Sequence, residues 1–166
     1  MKDMTIDIDK LDEKGRLEAY AIKYFIAEFN RCHVRQLKFS EFAKPPNPDA
    51  YCFLEENKIG LEVTHLYGIG ARVILGRERP EEENLVHTLT NEDITEELNF
   101  RLKEKAQKKY SNINTWLLIR NVLPGWGKKD FESWKSHIEL PTIHSFKEIW
   151  LLCDRNGSSG ILQLYP

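Results

Sequence analysis

The sequence lacks the features of membrane, secreted and zinc-knuckle proteins. No apolar run among its 166 residues approaches the roughly 20 residues that span a bilayer. The first residues, MKDMTIDIDKLDEKGR, are acidic and polar, unlike a signal peptide. The three cysteines include no CxxC pair, which argues against a disulfide framework and a zinc knuckle. We therefore expect a cytoplasmic protein with no membrane partner.

The sequence also lacks an excess of one charge and the common histidine motifs. Lys and Arg total 24 and Asp and Glu total 26, so the formal net charge is −2 at pH 7. A protein that binds nucleic acid through its bulk charge is more basic than this. The five histidines show neither HxxxH nor HExxH spacing, so no histidine zinc site is predicted. An enzyme or binding module that uses a local basic patch stays open.

The pattern of apolar residues predicts an α/β protein of the α+β mixed-sheet type, in a single domain over residues 1–166. Helical spacing of apolar residues predicts helices at 16–31, at 91–110 and, more briefly, at 129–138. Runs of β-branched, aromatic or continuous apolar residues predict strands at 37–42, 50–55, 59–66, 114–123, 146–154 and 160–166. This order gives an antiparallel meander followed by a helical crossover. The core spans about 16–123, residues 124–166 extend the sheet, and the polar stretch 77–84 is a surface excursion.

Two charged residues fall on apolar helix faces. Successive helical residues turn by about 100°, which places Glu18 in the middle of the face formed by Ile22, Phe25 and Phe29. In the later helix, Lys105 falls inside the apolar arc and Arg101 lies beside it. Glu18 is either a helix-start glutamate at the edge of the core or a functional carboxylate. Lys105 either extends its ammonium to water or faces a carboxylate cluster.

A carboxylate cluster is available on the predicted hairpin. Asp49 follows Pro48 at the start of one strand, and Glu62 lies on the next strand between apolar neighbours. Two carboxylates on adjacent strands, with the backbone carbonyl of Val63 as a further ligand, suit a hard divalent cation such as Mg²⁺. Each acid taken singly is also ordinary for a turn or a solvated sheet face.

The turn of this hairpin decides how close the two acids lie. A turn centred on Asn57 and Lys58 places Phe53 opposite Glu62, and Asp49 is then about 13 Å further along its strand. A bulge, or a turn nearer Glu55, brings the two carboxylates together. The sequence leaves both arrangements open.

Taken together, Pro48-Asp49 and Glu62-Val63-Thr64 within this order of elements resemble the PD-(D/E)xK nuclease superfamily, which has the restriction-endonuclease-like fold. The resemblance implies that Asp49 and Glu62 occupy the metal-binding positions and that Glu18 is the acid that the family often adds from its first helix. The motif lysine is replaced by Thr64. Some members move that lysine to the following helix, a position that Lys105 matches.

The resemblance implies a nuclease that hydrolyses phosphodiester bonds with Mg²⁺ or Mn²⁺. Asp49 and Glu62 would hold the metal, Glu18 would position a water or a second metal, and Lys105 would act on the water or on the phosphate. Desolvation lowers the pKa of an inward-facing lysine, which favours activation of the water. The alternative is a nuclease-fold module that has lost catalysis and binds a protein or a nucleic acid.

The candidate nucleic-acid contacts come from one basic stretch and one turn. Residues 101–109 hold five basic residues and one acid, including Arg101, Lys108 and Lys109. Such a stretch either neutralises phosphates or is a solvated helix face. Trp126, beside Lys128, is either a stacking platform or a cover for the core edge. The expected partner is DNA or RNA, and a second copy of the chain or another protein stays open.

Overall fold

A six-stranded mixed sheet forms the centre of the fold in the computed structural model, which describes residues 6–67, 90–110 and 113–166. The strands follow one another in space as they do along the chain. They are β1 (Leu37–Phe42), β2 (Ala50–Leu54), β3 (Asn57–Leu66), β4 (Thr115–Asn121), β5 (Glu148–Leu152) and β6 (Ile161–Tyr165). β1, β2 and β3 form an antiparallel meander, β3, β4 and β5 are parallel, and β6 returns antiparallel.

Three α-helices accompany the sheet within the described residues: α1 (Glu13–Cys32), α2 (Asn91–Ala106) and α3 (Lys128–Ser133). The Asp12 carboxylate starts α1 by accepting a hydrogen bond of 2.7 Å from the amide of Gly15. Thr90 and Asp93 form a reciprocal capping box that starts α2. The expected mixed α+β class is therefore confirmed, as are the three helices.

Two predicted helix ends are wrong for a shared reason. α2 ends at Ala106 instead of continuing to residue 110, because the amides of Gln107 and Lys108 bond the carbonyls three residues back and tighten the last turn. The helix predicted over 129–138 is split into α3 and a 3₁₀ turn at Lys135–His137. Local turn geometry therefore overrides the apolar spacing at both places.

The sheet carries a core cluster on each face. α1 packs with Phe25 and Phe29 against Trp116, Leu118 and Trp150. On the opposite face, α2 and α3 cover Leu117, Ile119 and Leu151. All seven residues of β4 are buried, as the continuous apolar run predicted for a strand covered on both sides. No helix of the described ranges combines the length and apolarity needed to cross a membrane.

The hairpin turn lies nearer Glu55 than Asn57. Leu54 pairs with Asn57, so the turn residues are Glu55 and Glu56, and Glu55 takes a positive φ of 54°. Ala50 consequently pairs with Leu61, and Asp49 lies beside Glu62 and Val63 just before the start of β2. The arrangement with a 13 Å separation is therefore wrong, and the alternative that brings the two acids together is confirmed. The predicted excursion at 77–84 lies outside the described residues.

Candidate functional site

Asp49 is fixed immediately before β2 begins. Pairing between β2 and β3 starts at Ala50 and Leu61, so the amide of Val63 lies beyond the first residue of β2. The Asp49 Oδ2 accepts that amide at 2.8 Å, and the Asp49 carbonyl accepts the amide of Ala43 at 2.9 Å. A hydrogen bond to a charged acceptor is strong, so the Val63 amide fixes the carboxylate of Asp49 in place.

Gly60 leaves room for Pro48, the residue that positions Asp49. Pro48 is buried against β3, and a Cβ at Gly60 would lie 2.6 Å from the Cγ of Pro48 and 3.0 Å from the hydroxyl of Thr115. Any side chain at this position would therefore push Pro48 away from the strand. Because Asp49 follows Pro48 directly, the glycine helps to hold the carboxylate beside Glu62.

Glu62 and Lys105 form a buried ion pair between β3 and α2. The Lys105 Nζ donates to the Glu62 Oε1 at 2.9 Å, and the two side chains are 11% and 5% exposed. The Lys108 Nζ lies 3.6 Å from the same oxygen. Lys105 therefore points inward, and its ammonium meets a carboxylate instead of extending to water.

The pKa of Lys105 corrects one expectation. Burial works against the charged ammonium, but the hydrogen bond and the charge of Glu62 outweigh burial and raise the pKa. The predicted lowering by desolvation is therefore wrong. Lys105 is a stable cation at neutral pH, which leaves it able to hold Glu62 and to neutralise an anion.

Glu18 and Asp49 both carry raised pKa values. Burial is the largest cause for Glu18, followed by the charge of Asp49, and Glu62 adds to the effect. For Asp49 the causes are burial and then the charge of Glu62. Glu18 has an exposed cation, Lys14, 3.6 Å away. Asp49 and Glu62 thus act electrostatically on both Glu18 and Lys105, and the three acids repel one another.

We expect Glu18→Gln to stabilise the protein. A carboxyl whose pKa is raised by folding favours its protonated form in the folded state, so stability falls as pH rises through that pKa. Removing the charge should raise the free energy of unfolding at pH 7 by about 1 kcal/mol, or about 2–4 °C in Tm. Thermal unfolding measures the gain, which should disappear in acid. Glu56→Gln, in the exposed hairpin turn, is the matched control, and an equal gain there contradicts the account.

A cavity of about 220 Å³ adjoins these groups between α1, β3 and α2. Thr64, for which the sequence resemblance predicts the motif lysine position, lines it together with Glu18 and Arg101. The other lining residues are Lys14, Leu17, Val63, His65 and Tyr67. The cavity is thus bordered by cations and by one site carboxylate, a mixture that suits a phosphate and water.

His65 supports this cavity as a neutral side chain. Its Nε2 lies 3.2 Å from the Leu17 carbonyl, which can accept a hydrogen bond from that nitrogen. Burial, and then the charge of Arg120, lowers its pKa to about 4. His65 is therefore a neutral, buried residue that connects β3 to α1 beside the cavity.

We expect His65→Gln to reduce the decrease in the free energy of unfolding that the wild-type protein shows in acid. As pH falls from 6.5 towards 4, the unfolded chain binds a proton that the buried imidazole does not, so the wild-type protein loses stability by up to roughly 3 kcal/mol. Urea unfolding between pH 7.5 and 4.5 measures this slope. The exposed His137→Gln is the control. If the stability of His65→Gln falls with pH as steeply as that of the wild type, His65 is not the buried neutral side chain described above.

Tyr110 is a site residue that the sequence did not reveal. Its hydroxyl is buried and forms no hydrogen bond of ordinary geometry within the described residues. Burial, and then the proximity of Glu62, raises its pKa. The ring packs against Phe146, with centroids 5.9 Å apart. The sequence predicts a helix that continues to Tyr110. Because α2 ends at Ala106 instead, the helical pattern gives no indication that Tyr110 lies near Glu62.

The predicted nucleic-acid residues are largely engaged within the protein. Arg101 Nε contacts Glu97 at 3.1 Å, and Lys128 Nζ lies 4.0 Å from Glu132. Lys108 contacts Glu62, as described above. Trp126 packs on Trp134, with ring centroids 5.1 Å apart, and belongs to the border of the core. Lys109 is exposed. Their role in binding nucleic acid stays a prediction.

The predicted metal ligands are few in number. Asp49 and Glu62 are adjacent, but the described ranges contain no group of three or more His, Cys, Asp or Glu side chains arranged to hold a metal ion. The carbonyl of Val63 stays a predicted ligand. Comparison of the chain with protein-family models, with curated proteins and with solved structures found no match.

Proposed function

We propose that this protein is a Mg²⁺- or Mn²⁺-dependent nuclease. The observation that carries the proposal is that Asp49 lies beside Glu62 at the start of β2, with Lys105 bonded to the same glutamate. These two acids also act electrostatically on Glu18 of α1 and on Lys105 of α2 in a partly buried site. Such a concentration of perturbed acids next to a cavity is typical of a functional site.

The order of elements supports the resemblance to the PD-(D/E)xK superfamily. Among the described residues, the order is a helix, three antiparallel strands, a second helix and a further strand, namely α1, β1, β2, β3, α2 and β4. β4 lies parallel to β3, after the predicted helical crossover. A restriction-endonuclease-like core is therefore part of the proposal.

The donor set fits a hard divalent cation. Asp49 and Glu62 supply two carboxylates. Proteins usually bind Mg²⁺ through one or two carboxylates, and water and substrate oxygens fill the remaining coordination positions. In an extended strand, the N–H and C=O of one residue point to the same side. Because the Val63 amide donates to Asp49, the Val63 carbonyl also points to the side of β3 on which Asp49 lies. A bound Mg²⁺ or Mn²⁺ supplies a Lewis acid for the phosphate and lowers the pKa of a coordinated water.

The remaining groups have separate roles in the proposal. Lys105 stays protonated, holds Glu62, and stabilises negative charge that develops on the phosphate. Glu18 borders the cavity and accepts a hydrogen bond from water there. Lys108 is a second cation near Glu62. None of these roles requires a lysine at position 64.

Cleavage assays test the proposal directly. Single-stranded and double-stranded DNA and RNA are incubated with Mn²⁺ and with wild-type protein, Asp49→Ala or Glu62→Ala. Cleavage that is present in the wild type and lost in both variants supports the nuclease. Equal cleavage by all three proteins contradicts the site, and Glu56→Ala controls for a surface glutamate.

One observation favours the second candidate, a module that binds nucleic acid or protein without catalysis. Glu62 Oε1 already contacts Lys105 and lies near Lys108, and an ion must compete with both ammonium groups. Calorimetry with Mn²⁺ separates the candidates. Heat that depends on Asp49 supports the nuclease, and its absence supports the module.

A further inference from the structure

We propose that a tyrosine patch beside the candidate site binds single-stranded nucleic acid. The tyrosine patch consists of Tyr20, Lys23 and Tyr24 on α1 and Arg155 in the connection between β5 and β6, with Arg120 beneath them. The inference rests on the proposed function, because it names the form of the substrate and the surface that receives it. It concerns residues other than those predicted to contact nucleic acid.

Two tyrosines form the apolar part of the patch. Tyr20 and Tyr24 are one helical turn apart, and their rings stack with centroids 6.0 Å apart and an interplanar angle of 16°. Tyr20 is 36% exposed, although it is a large aromatic residue. An exposed, preformed aromatic stack offers a face to an unpaired base, whereas the bases of a duplex are already stacked on each other.

Arg120 places an uncompensated charge under this stack. It is only 4% exposed, and its guanidinium carbon lies 5.8 Å from the centre of the Tyr24 ring. Its Nε and Nη2 donate to the Arg155 carbonyl at 2.9 and 2.7 Å, and its Nη1 donates to the Leu17 carbonyl at 3.5 Å. A buried charge is usually paired with an opposite charge, but the described part of the chain gives Arg120 only carbonyl acceptors.

The patch also carries exposed cations that are not neutralised. Lys23 and Arg155 are exposed, and neither forms an ion pair within residues 6–67, 90–110 and 113–166. By contrast, Arg101 and Lys108 in the predicted basic stretch both contact carboxylates. Lys103 and Lys109 of that stretch are also exposed and form no ion pair within the described residues, so the patch is distinguished by combining two such cations with an exposed aromatic stack. Phosphates are attracted to such charge.

Leu17 connects the patch to the cavity of the candidate site. Leu17 lines that cavity, and its carbonyl contacts both His65 and Arg120. The connection that carries Arg155 packs closely on α1, since a Cβ at Gly157 would lie 3.6 Å from the Tyr24 carbonyl. A strand whose base stacks on Tyr20 would thus continue past Leu17 towards Glu18.

Fluorescence anisotropy tests the patch with labelled dT12, U12 and a 12-base-pair DNA duplex. The measurements use EDTA and an Asp49→Asn background, which separates binding from cleavage. Tyr20→Ala should weaken binding of the single strands by about 5-fold or more, whereas Tyr20→Phe should stay within about 2-fold of its parent. Tyr20→Ala/Tyr24→Ala should weaken it further, and circular dichroism checks that each variant is folded.

The charged residues are tested with matched double variants. Lys23→Ala/Arg155→Ala should weaken single-strand binding and reduce the slope of log K against log salt by about 1.4, for two phosphates at about 0.7 each. Lys38→Ala/Lys44→Ala removes the same charge from exposed positions in and after β1 and should change binding by less than about 2-fold. Lys109→Ala tests the competing basic stretch.

The outcomes separate this inference from the proposed function. The inference is overturned if no single strand binds, if Tyr20→Ala binds as its parent does, if the duplex binds as tightly, or if Lys109→Ala alone accounts for binding. Mn²⁺-dependent cleavage together with any of these results leaves the nuclease standing without the patch. Tyrosine-dependent binding without cleavage supports the patch on a non-catalytic protein.

Discussion

Replacing Asp49 with asparagine should abolish Mn²⁺-dependent cleavage and, at the same time, stabilise the folded protein at neutral pH. Asparagine can still accept the hydrogen bond from the Val63 amide, so the backbone at the start of β2 is preserved. It removes one of the two carboxylates proposed to hold the metal. Because Lewis-acid assistance contributes several kcal/mol to the transition state, the expected loss in rate is at least about 100-fold.

The gain in stability follows from the charges around Asp49. Burial and the neighbouring Glu62 raise the pKa of Asp49, so its charged form is less favourable in the folded than in the unfolded state. Stability due to this group falls as pH rises through the raised pKa, and Asp49→Asn should remove that loss. We expect a gain of about 1 kcal/mol at pH 7 and little gain in acid.

Cleavage rates and thermal unfolding, measured on the same preparations, test both parts. Mn²⁺ should raise the Tm of the wild-type protein and not that of Asp49→Asn, because only the wild type should gain free energy from binding the ion. A variant that cleaves at the wild-type rate, or that unfolds more readily at pH 7, would contradict the assignment of Asp49.

Replacing Lys105 with methionine should cost both activity and stability. The substitution leaves the carboxylate of Glu62 only 5% exposed and without its nearest cation. Removing one partner of a buried ion pair costs about 3–5 kcal/mol, and the nearby Lys108 should keep the loss near the lower value. For a domain of this length, 3 kcal/mol corresponds to about 6–12 °C in Tm.

A double variant separates the structural from the functional role of Lys105. Glu62→Gln/Lys105→Met removes both charges, so it should recover a large part of the stability lost in Lys105→Met, and urea unfolding measures the coupling. Activity should be absent in both proteins. Lys105→Arg keeps the charge and serves as the conservative control. A Lys105→Met protein that loses less than about 1 kcal/mol would show that the pair does not stabilise the buried glutamate.

Helical spacing and apolar runs were sufficient to predict most of the fold. The face formed by Ile22, Phe25 and Phe29 lies in the core, and the run 114–123 forms the central strand β4. These predictions hold because burial of one helix face or of both strand faces is a strong and periodic constraint. The ends of α2 and α3 were predicted less well, because short-range hydrogen bonds determine them.

The candidate site was predicted in its residues but not in its contacts. Glu18 and Lys105 were found because charge on an apolar face conflicts with the helical pattern, and both side chains turn towards Asp49 and Glu62. The separation of Asp49 and Glu62 depended on a shift of two residues in the hairpin turn, which propensity alone does not determine. The direction of the Lys105 pKa depended on Glu62, a partner 43 positions away.

Arg120 illustrates a signal that was present in the sequence and unused. With Asn121 it interrupts the apolar run LLIRNVL, just as Lys105 interrupts an apolar helix face. Its carbonyl partners come from α1 and from the β5–β6 connection, so its surroundings follow only from the tertiary fold. Tyr20 and Tyr24 gave no comparable signal, because aromatic residues on a helix usually belong to the core.

If Asp49 and Glu62 jointly hold a divalent cation, a crystal structure of the protein with Mn²⁺ should show the ion between them. Data collected near the manganese absorption edge locate the ion by its anomalous scattering. We expect a peak within coordinating distance of the Asp49 and Glu62 carboxylates, with Lys105 close by, and no peak there in Asp49→Asn. A protein that cleaves nucleic acid with Mn²⁺ but binds the ion elsewhere, or a wild-type crystal with no peak between these carboxylates, would contradict this expectation.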